Sequence, residues 1–365
     1  MNKNFVRKNI LNFQPYIPGK PIDDVKREFN LKEVIKLASN ENPLGAPRIA
    51  ISSIKKVLNK INIYPDGYCF ELRKKIAKTY NVKENQIIFG NGTDEIIELI
   101  AKTFLNPEDE IIVSEHAFIR YKMAGDLMGC KVIEVPMKNY THDLDTMANA
   151  VTAKTKIIFV ANPNNPTGTY NTKKEFDDFF SKPLITRYSP LTFIDEAYAE
   201  YVDEKDYPLG LDYLKKGLNV IFSRTFSKIY GLAGLRIGYG VASSETIFYL
   251  EMVRPPFNVS SLAQASAAGA LDDKQHILKS KKVVAQQKKY LYTELKKIGI
   301  EYIPSAANFI LINVKNSGQI IFKKLLRKGV IVRAMGEYGL RNFIRVTIGR
   351  PTENRKFIKE VREIV

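Results

Sequence analysis

Through the middle of the chain, short apolar runs alternate with stretches of helical spacing. "QIIFG" leads into "TDEIIELIAKTFL", where Ile96, Leu99, Ile100 and Phe104 recur at three- and four-residue steps and mark one helix face. The runs "DEIIVSE", "KVIEVP", "TKIIFVANP", "PLTFIDEAY", "NVIFSRTFSK" and "LRIGYGVA" follow. Apolar strands separated by helices predict an α/β fold with a large, doubly wound, mostly parallel sheet. After "RPPFNVS" the pattern changes. A long basic helical stretch over roughly 261–298 leads to the strand "NFILINV", a helix around "GQIIFKKLLRK" closed by Gly329, and the strands "VIVRA" and "FIRVTIG". This second part predicts a smaller α+β domain. No internal repeat or low-complexity linker interrupts the chain.

Composition narrows the class. The 365 residues are 45% hydrophobic and 26% charged, enough for an ordinary soluble core. No apolar run approaches the roughly 18 residues of a membrane helix. The basic start "MNKNFVRKNILNF" lacks the apolar segment and cleavage site of a secretory signal. Cys69 and Cys130 fit no zinc or redox spacing, so free thiols and a cytoplasmic setting are expected. His116, His142 and His276 are scattered, against a His-based metal site. The net charge of +17 raises nucleic-acid binding, but the lysines sit at helical spacing beside apolar residues, as on solvated helix faces, and no nucleic-acid motif is present. The charge still favours anionic small molecules.

Ligands of open α/β sheets gather at the carboxyl ends of strands, and four polar segments fall there. "IIFGNGTDE" is strand, turn and helix start: Gly90 and Gly92 admit a close backbone approach, and Thr93 and Asp94 begin the helix. It is either a plain capped helix or a phosphate site. "ANPNNPTGT" is either a turn or a rigid mount that aims Asn165 at a ligand. Asp195 follows "LTFI" and either caps a helix or pairs with a buried cation, with Tyr198 three residues on. Lys228, in "SRTFSK", is either a surface charge or an amine nucleophile of lowered pKa. Together these are the parts one coenzyme needs. A lysine amine forms a Schiff base with an aldehyde, and an acid holds a pyridine nitrogen protonated. A phenol meets the ring hydroxyl, and Thr225, Ser227 and Arg236 grip a phosphate. That coenzyme is pyridoxal 5'-phosphate.

Over nearly its whole length the chain resembles the fold-type I pyridoxal-phosphate aminotransferases of the class II group. The resemblance rests on "FQPYIPGK", "KLASNENPLGAP", "YPDG", "GNGTDE", "NPNNPTGT", "IDEAY", "RTFSKIYGLAGLRIGYG", "RPPFNVSSLAQ", "GVIVR" and "IRVTIG". "LASNENPLG" with "RPPFNV" is similar to the narrower histidinol-phosphate branch. The resemblance implies that Lys228 carries the coenzyme and shuttles protons, that Asp195 partners the pyridinium, and that Tyr198 and Asn165 meet the ring oxygen. Gly92, Thr93, Asp94, Thr225, Ser227 and Arg236 correspond to the phosphate cup. Tyr64 is similar to a tyrosine that reaches the phosphate held by a partner subunit, which implies a homodimer with shared active sites. Arg333 and Arg345 resemble substrate-anion arginines, and Tyr16 a substrate-side residue on the N-terminal arm. Phe118 stands at the ring-stacking position, where Tyr also occurs: stacking survives, a phenol hydrogen bond does not. Thr93 stands where Ser or Ala is commoner.

The implied division is an N-terminal arm, 1–28, associated with the small domain; a large coenzyme-binding domain, 29–258; and a small C-terminal domain, 259–365. The implied reaction is amino transfer between L-histidinol phosphate and 2-oxoglutarate, giving imidazole acetol phosphate and L-glutamate, as in histidine biosynthesis. Other readings of the same machinery are an aromatic amino-acid aminotransferase and a decarboxylase of an amino-acid phosphate. A non-catalytic basic binding protein is a third class. The partners expected are small-molecule substrates, with no nucleic acid and no membrane.

Overall fold

The computed structural model describes residues 5–11 and 13–365. Of the expected arm, residues 1–4 and 12 lie outside the described residues. The large sheet has seven strands: β1 (Ile87–Gly90), β2 (Glu110–Ser114), β3 (Lys131–Val135), β4 (Thr155–Ala161), β5 (Leu191–Asp195), β6 (Val220–Thr225) and β7 (Gly238–Val241). They lie side by side in the order β1-β7-β6-β5-β4-β2-β3. β2, β3, β4, β5 and β6 pair in parallel, whereas β7 runs antiparallel to both β1 and β6.

Alternate residues of these strands enter different cores. Phe89, Ile158, Val160, Ile194 and Phe222 join one apolar cluster, and Ile88, Ile157, Phe159, Phe193 and Ile221 join the other. With both faces covered, the inner strands read as apolar runs rather than alternating ones; the edge strand β3 keeps Lys131 and Glu134 exposed. The helix α1 (Thr93–Phe104) follows β1 and buries Ile96, Leu99 and Ile100, as its spacing predicts; α2 (Ile119–Met128) follows β2.

The second part begins with two helices. The expected long basic helix is split into α3 (Ser261–Asp272) and α4 (Lys274–Lys297). Asp273 accepts from the His276 N–H and so restarts the helix as an N-cap. α3 packs on the helices Arg48–Val57 and Phe70–Tyr80. A four-stranded antiparallel sheet follows, made of β8 (Glu301–Ile303), β9 (Phe309–Asn313), β10 (Arg333–Ala334) and β11 (Phe343–Thr347) in the order β8-β9-β11-β10. "VIVRA" therefore breaks in two: Val330–Ile331 pairs in parallel with Ile35–Lys36, and Arg333–Ala334 pairs with β11. Gly329, at φ 72°, turns the chain from the preceding helix into this strand. Among the described residues no helix is long and apolar enough to cross a membrane.

Candidate active site

A cleft of about 270 Å³ opens at the carboxyl ends of β1, β4, β5 and β6, where β11 of the smaller sheet faces them. It is lined by Tyr16, Thr93, Asp94, Phe118, Asn165, Asp195, Tyr198, Thr225, Ser227, Lys228, Arg236, Arg333 and Arg345. Residues from seven separated parts of the sequence thus meet in one place. Two expected site residues are not among them. Gly92 sits directly behind the lining. Tyr64 is 80% exposed, stacked on Phe257 at 4.8 Å, and outside its own chain's cleft.

Lys228 is half-buried by surface area, because its amine faces the cleft, yet protein surrounds it closely. Its Nζ donates to the Ser39 carbonyl at 3.1 Å. Desolvation, helped by the positive field of Arg345 and opposed by Glu41, lowers its pKa to about 8. An amine so placed is substantially neutral near pH 8, which an ordinary lysine is not.

Asp195 ends β5 and caps no helix. Its Oδ2 accepts from the Tyr121 hydroxyl at 2.7 Å, and its Oδ1 accepts from the Ala197 N–H at 3.0 Å and the Ser223 hydroxyl at 3.3 Å. Burial raises its pKa to about 6 against the pull of these three donors. A carboxylate this buried, with donors but no cation, is set to receive a positively charged group.

Tyr121 was not singled out from the sequence. Its ring is fully buried, stacked on Phe159 at 5.0 Å and edge-on to Phe118 at 5.7 Å. The three-residue step from Phe118 to Tyr121 along α2 is the signal that pairs them. The phenol missing at Phe118 is therefore present one turn later, directed at Asp195 rather than at the cleft.

Tyr198 is buried, edge-on to Phe309, and its ring stands 5.7 Å from Lys228 Nζ. Burial pushes its hydroxyl up to about 12, so it stays protonated at neutral pH. Asn165 accepts from Arg345 Nη1. Arg345 also donates from Nη2 to the Ala38 carbonyl at 2.7 Å, and its buried Nε has no partner among the described residues. Arg333 stands directly opposite Arg345 across β10 and β11. It donates to Glu337 at 2.9 Å and to the Ile17 carbonyl at 2.7 Å, with Tyr16 against its guanidinium.

At the other end of the cleft, Gly92 holds φ 81° and caps α1. A Cβ there would stand 2.5 Å from Arg236 Nη2 and push the guanidinium aside, and the positive φ itself favours glycine. Arg236 donates to Ser227 Oγ at 3.3 Å and reaches Asp94 at 3.5 Å. The Ser227 N–H donates to Thr225 Oγ1 at 3.0 Å. Thr93 Oγ1 is buried with no partner among the described residues. Free helix N–H groups, hydroxyls and one guanidinium together make an anion cup.

The family model described as aminotransferase class I and II matches residues 32–361. The histidinol-phosphate aminotransferase of Moorella thermoacetica is 47% identical over 360 residues, which cover 98% of this chain and 92% of that protein. That of Caldicellulosiruptor saccharolyticus is 46% identical, over 98% of this chain and 99% of its own. Among solved structures, histidinol-phosphate aminotransferase from Sinorhizobium meliloti, in complex with pyridoxal-5'-phosphate, superposes with a TM-score of 0.89 at 22% identity, covering 99% of this chain and 98% of that one. At that identity the likeness shows a shared fold. On the match along most of its length and on these identities, the chain belongs to the class I and II aminotransferases.

Proposed function

We propose that this chain transfers the amino group of L-histidinol phosphate to 2-oxoglutarate, giving imidazole acetol phosphate and L-glutamate, with pyridoxal 5'-phosphate as coenzyme. The carrying observation is that Lys228 and Asp195 meet in one cleft of a chain 47% identical to a histidinol-phosphate aminotransferase. The residues present fit the coenzyme. Among the described residues Asp195 is a buried acid without a cation and Thr93 Oγ1 and Arg345 Nε are buried without partners, and Gly92 keeps the helix start open beneath Arg236.

When bound, pyridoxal phosphate supplies an aldehyde that takes up the amino group and a ring that accepts electrons from the substrate carbon. The chain's own residues do the rest. Lys228 would hold the coenzyme at its aldehyde, and its amine, substantially neutral near pH 8, would serve as base and acid for the proton at the substrate carbon. Asp195 keeps the ring nitrogen protonated. Tyr198 and Asn165 would meet the ring oxygen, and Phe118 would lie against the ring. The start of α1, with Gly92, Thr93, Asp94, Thr225, Ser227 and Arg236, holds the phosphate. A substrate panel comparing histidinol phosphate with phenylalanine, tyrosine and threonine phosphate tests the assignment. Preference for an aromatic acid, or release of carbon dioxide, would replace it.

The substrate anion goes to Arg345 and Arg333. Arg345 has a buried, unpartnered Nε, whereas Arg333 is already half-neutralised by Glu337. Histidinol phosphate has no α-carboxylate, so its phosphate is the handle; glutamate and 2-oxoglutarate offer carboxylates to the same forks. Arg345→Ala is expected to slow both half-reactions and Arg333→Ala the histidinol-phosphate half more, each by about one to two decades in kcat/KM. Single-turnover kinetics on each half would decide. A change below threefold in the histidinol-phosphate half for both variants means that the phosphate binds elsewhere.

We read residues 1–28 as an arm, 29–258 as the coenzyme-binding domain and 259–365 as the small domain of a cytoplasmic homodimer. Support for the dimer comes from an exposed apolar surface next to Tyr64: Tyr64 stacks on Phe257, which lines one groove with Tyr68, Phe70 and Phe248. Monomeric proteins rarely expose such continuous patches. Tyr64 then reaches the partner's coenzyme phosphate. Mixing inactive Lys228→Ala with impaired Tyr64→Ala subunits is expected to restore activity toward about a quarter of wild type, because half the dimers hold one intact site. No recovery in exchanged dimers, or a fully active monomer in sedimentation, rules out sharing.

A further inference from the structure

A polar chain links the small sheet to Tyr198, and its hydrogen bonds run in one direction. Asn40 is 1% exposed and sits at φ 56°, a left-handed backbone that asparagine tolerates better than most residues. Its N–H donates to Thr347 Oγ1 at 2.9 Å. The Thr347 hydroxyl has one proton, and it goes to Asn40 Oδ1 at 3.1 Å. That leaves Asn40 Nδ2 facing Tyr198, and it donates to the Tyr198 hydroxyl oxygen at 2.9 Å. Turning the amide round would strand the proton of Thr347, which has no other acceptor among the described residues, inside a buried site.

The consequence falls on the Tyr198 proton. The phenol oxygen is already an acceptor from an amide that cannot accept in return. The O–H has no partner among the described residues and is left to the cleft, which both residues line. We propose that Asn40 is a positioning residue: locked by Thr347, it turns the Tyr198 O–H into the cleft and makes that hydroxyl an obligatory donor to the coenzyme's ring oxygen. Thr347 lies two residues from Arg345 on β11. The strand that carries the substrate's anion grip therefore also sets the direction of the proton at the ring. The proposal rests on the coenzyme reading above.

Asn40→Asp tests it, because aspartate keeps the shape and the backbone preference but replaces the donor with an acceptor. The Tyr198 proton then turns toward the new carboxylate. A donor at the ring oxygen stabilises its anionic form, so losing that donor moves the pH midpoint of the bound coenzyme's visible absorbance upward, by about one unit. Asn40→Gly removes the amide without a new acceptor and is expected to move the midpoint by less than half as much. In a Tyr198→Phe background the Asn40→Asp shift should shrink to the through-space effect of the added charge. Should Asn40→Asp not fold, the isosteric Thr347→Val frees the amide and should shift the midpoint the same way.

The outcomes separate. A wild-type protein that gains no visible absorbance with pyridoxal phosphate overturns the coenzyme reading. A wild type that binds it normally, with Asn40→Asp (or Thr347→Val in its place) leaving the midpoint unmoved or shifting it equally in both backgrounds, overturns the Asn40 proposal alone.

Discussion

Lys228→Ala is expected to abolish turnover, by at least about four decades, while the protein stays folded. The alanine leaves the Ser39 carbonyl without its donor, but that carbonyl borders the cleft and water can replace the amine. Removing a desolvated amine costs the fold nothing that this hydrogen bond does not cover. Borohydride treatment should attach the coenzyme at residue 228 in wild type and nowhere in the variant. The lowered pKa gives a second signature. In coenzyme-free wild type, uptake of pyridoxal phosphate should rise about tenfold from pH 7 to 9 and then level off, because the neutral fraction saturates above a pKa of about 8. An ordinary lysine would keep gaining to beyond pH 10. A rate that climbs through that range means that Lys228 is not desolvated, and near-normal turnover by Lys228→Ala removes the catalytic assignment altogether.

The inner strands of the large sheet were legible because each is buried on both faces and so appears as an apolar run between turn residues, while the edge strand β3 leaves Lys131 and Glu134 exposed. The reversal of β7 was not. "LRIGYGVA" looks like its parallel neighbours, and its direction comes from the connection: residues 226–237 contain no helix long enough for a crossover, so the chain returns antiparallel beside β6. The split of "VIVRA" was hidden for a different reason. Its first half pairs with Ile35–Lys36, almost the length of the chain away, and long-range pairing leaves no local trace. At the site, residues at strand ends could be found from their position in the pattern, as with Asp195 and Lys228. The residues that contact Asp195 and Tyr198 from outside the strand ends could not. Tyr121 lies in a helix and Asn40 in a loop, and each matters through one hydrogen bond that only the tertiary arrangement creates.

Asp195→Asn should divide function from stability most sharply. The carboxylate has three hydrogen-bond donors and no cation, so in the coenzyme-free chain its ionised form is held at a cost. The sign follows from the direction of the shift. A carboxyl whose folded pKa lies above its ordinary 3.8, here at about 6, binds its proton more tightly folded than unfolded. Its stabilising contribution is full below pH 4, fades between pH 4 and 6, and is gone above that. Two units correspond to up to about 3 kcal/mol of destabilisation at pH 7. Asparagine keeps an acceptor for Ala197 and Ser223 and carries no charge, while the Tyr121 hydroxyl, turned to accept from the new amide, gives up its own acceptor and offsets part of that gain. Coenzyme-free Asp195→Asn should therefore unfold at a higher temperature than coenzyme-free wild type at pH 7, and the difference should vanish near pH 4. Turnover should move the other way. A neutral amide cannot hold the ring nitrogen's proton, and losing a preorganised charge of this kind lowers kcat by about two to three decades. Bound coenzyme reverses the stability order, because the ring cation supplies what the carboxylate lacks, so added pyridoxal phosphate should raise the Tm of wild type more than that of the variant. A variant that keeps most of its kcat would make Asp195 a structural acid, and equal Tm values at pH 7 in the coenzyme-free proteins would mean that its three donors already neutralise the cost of burying it.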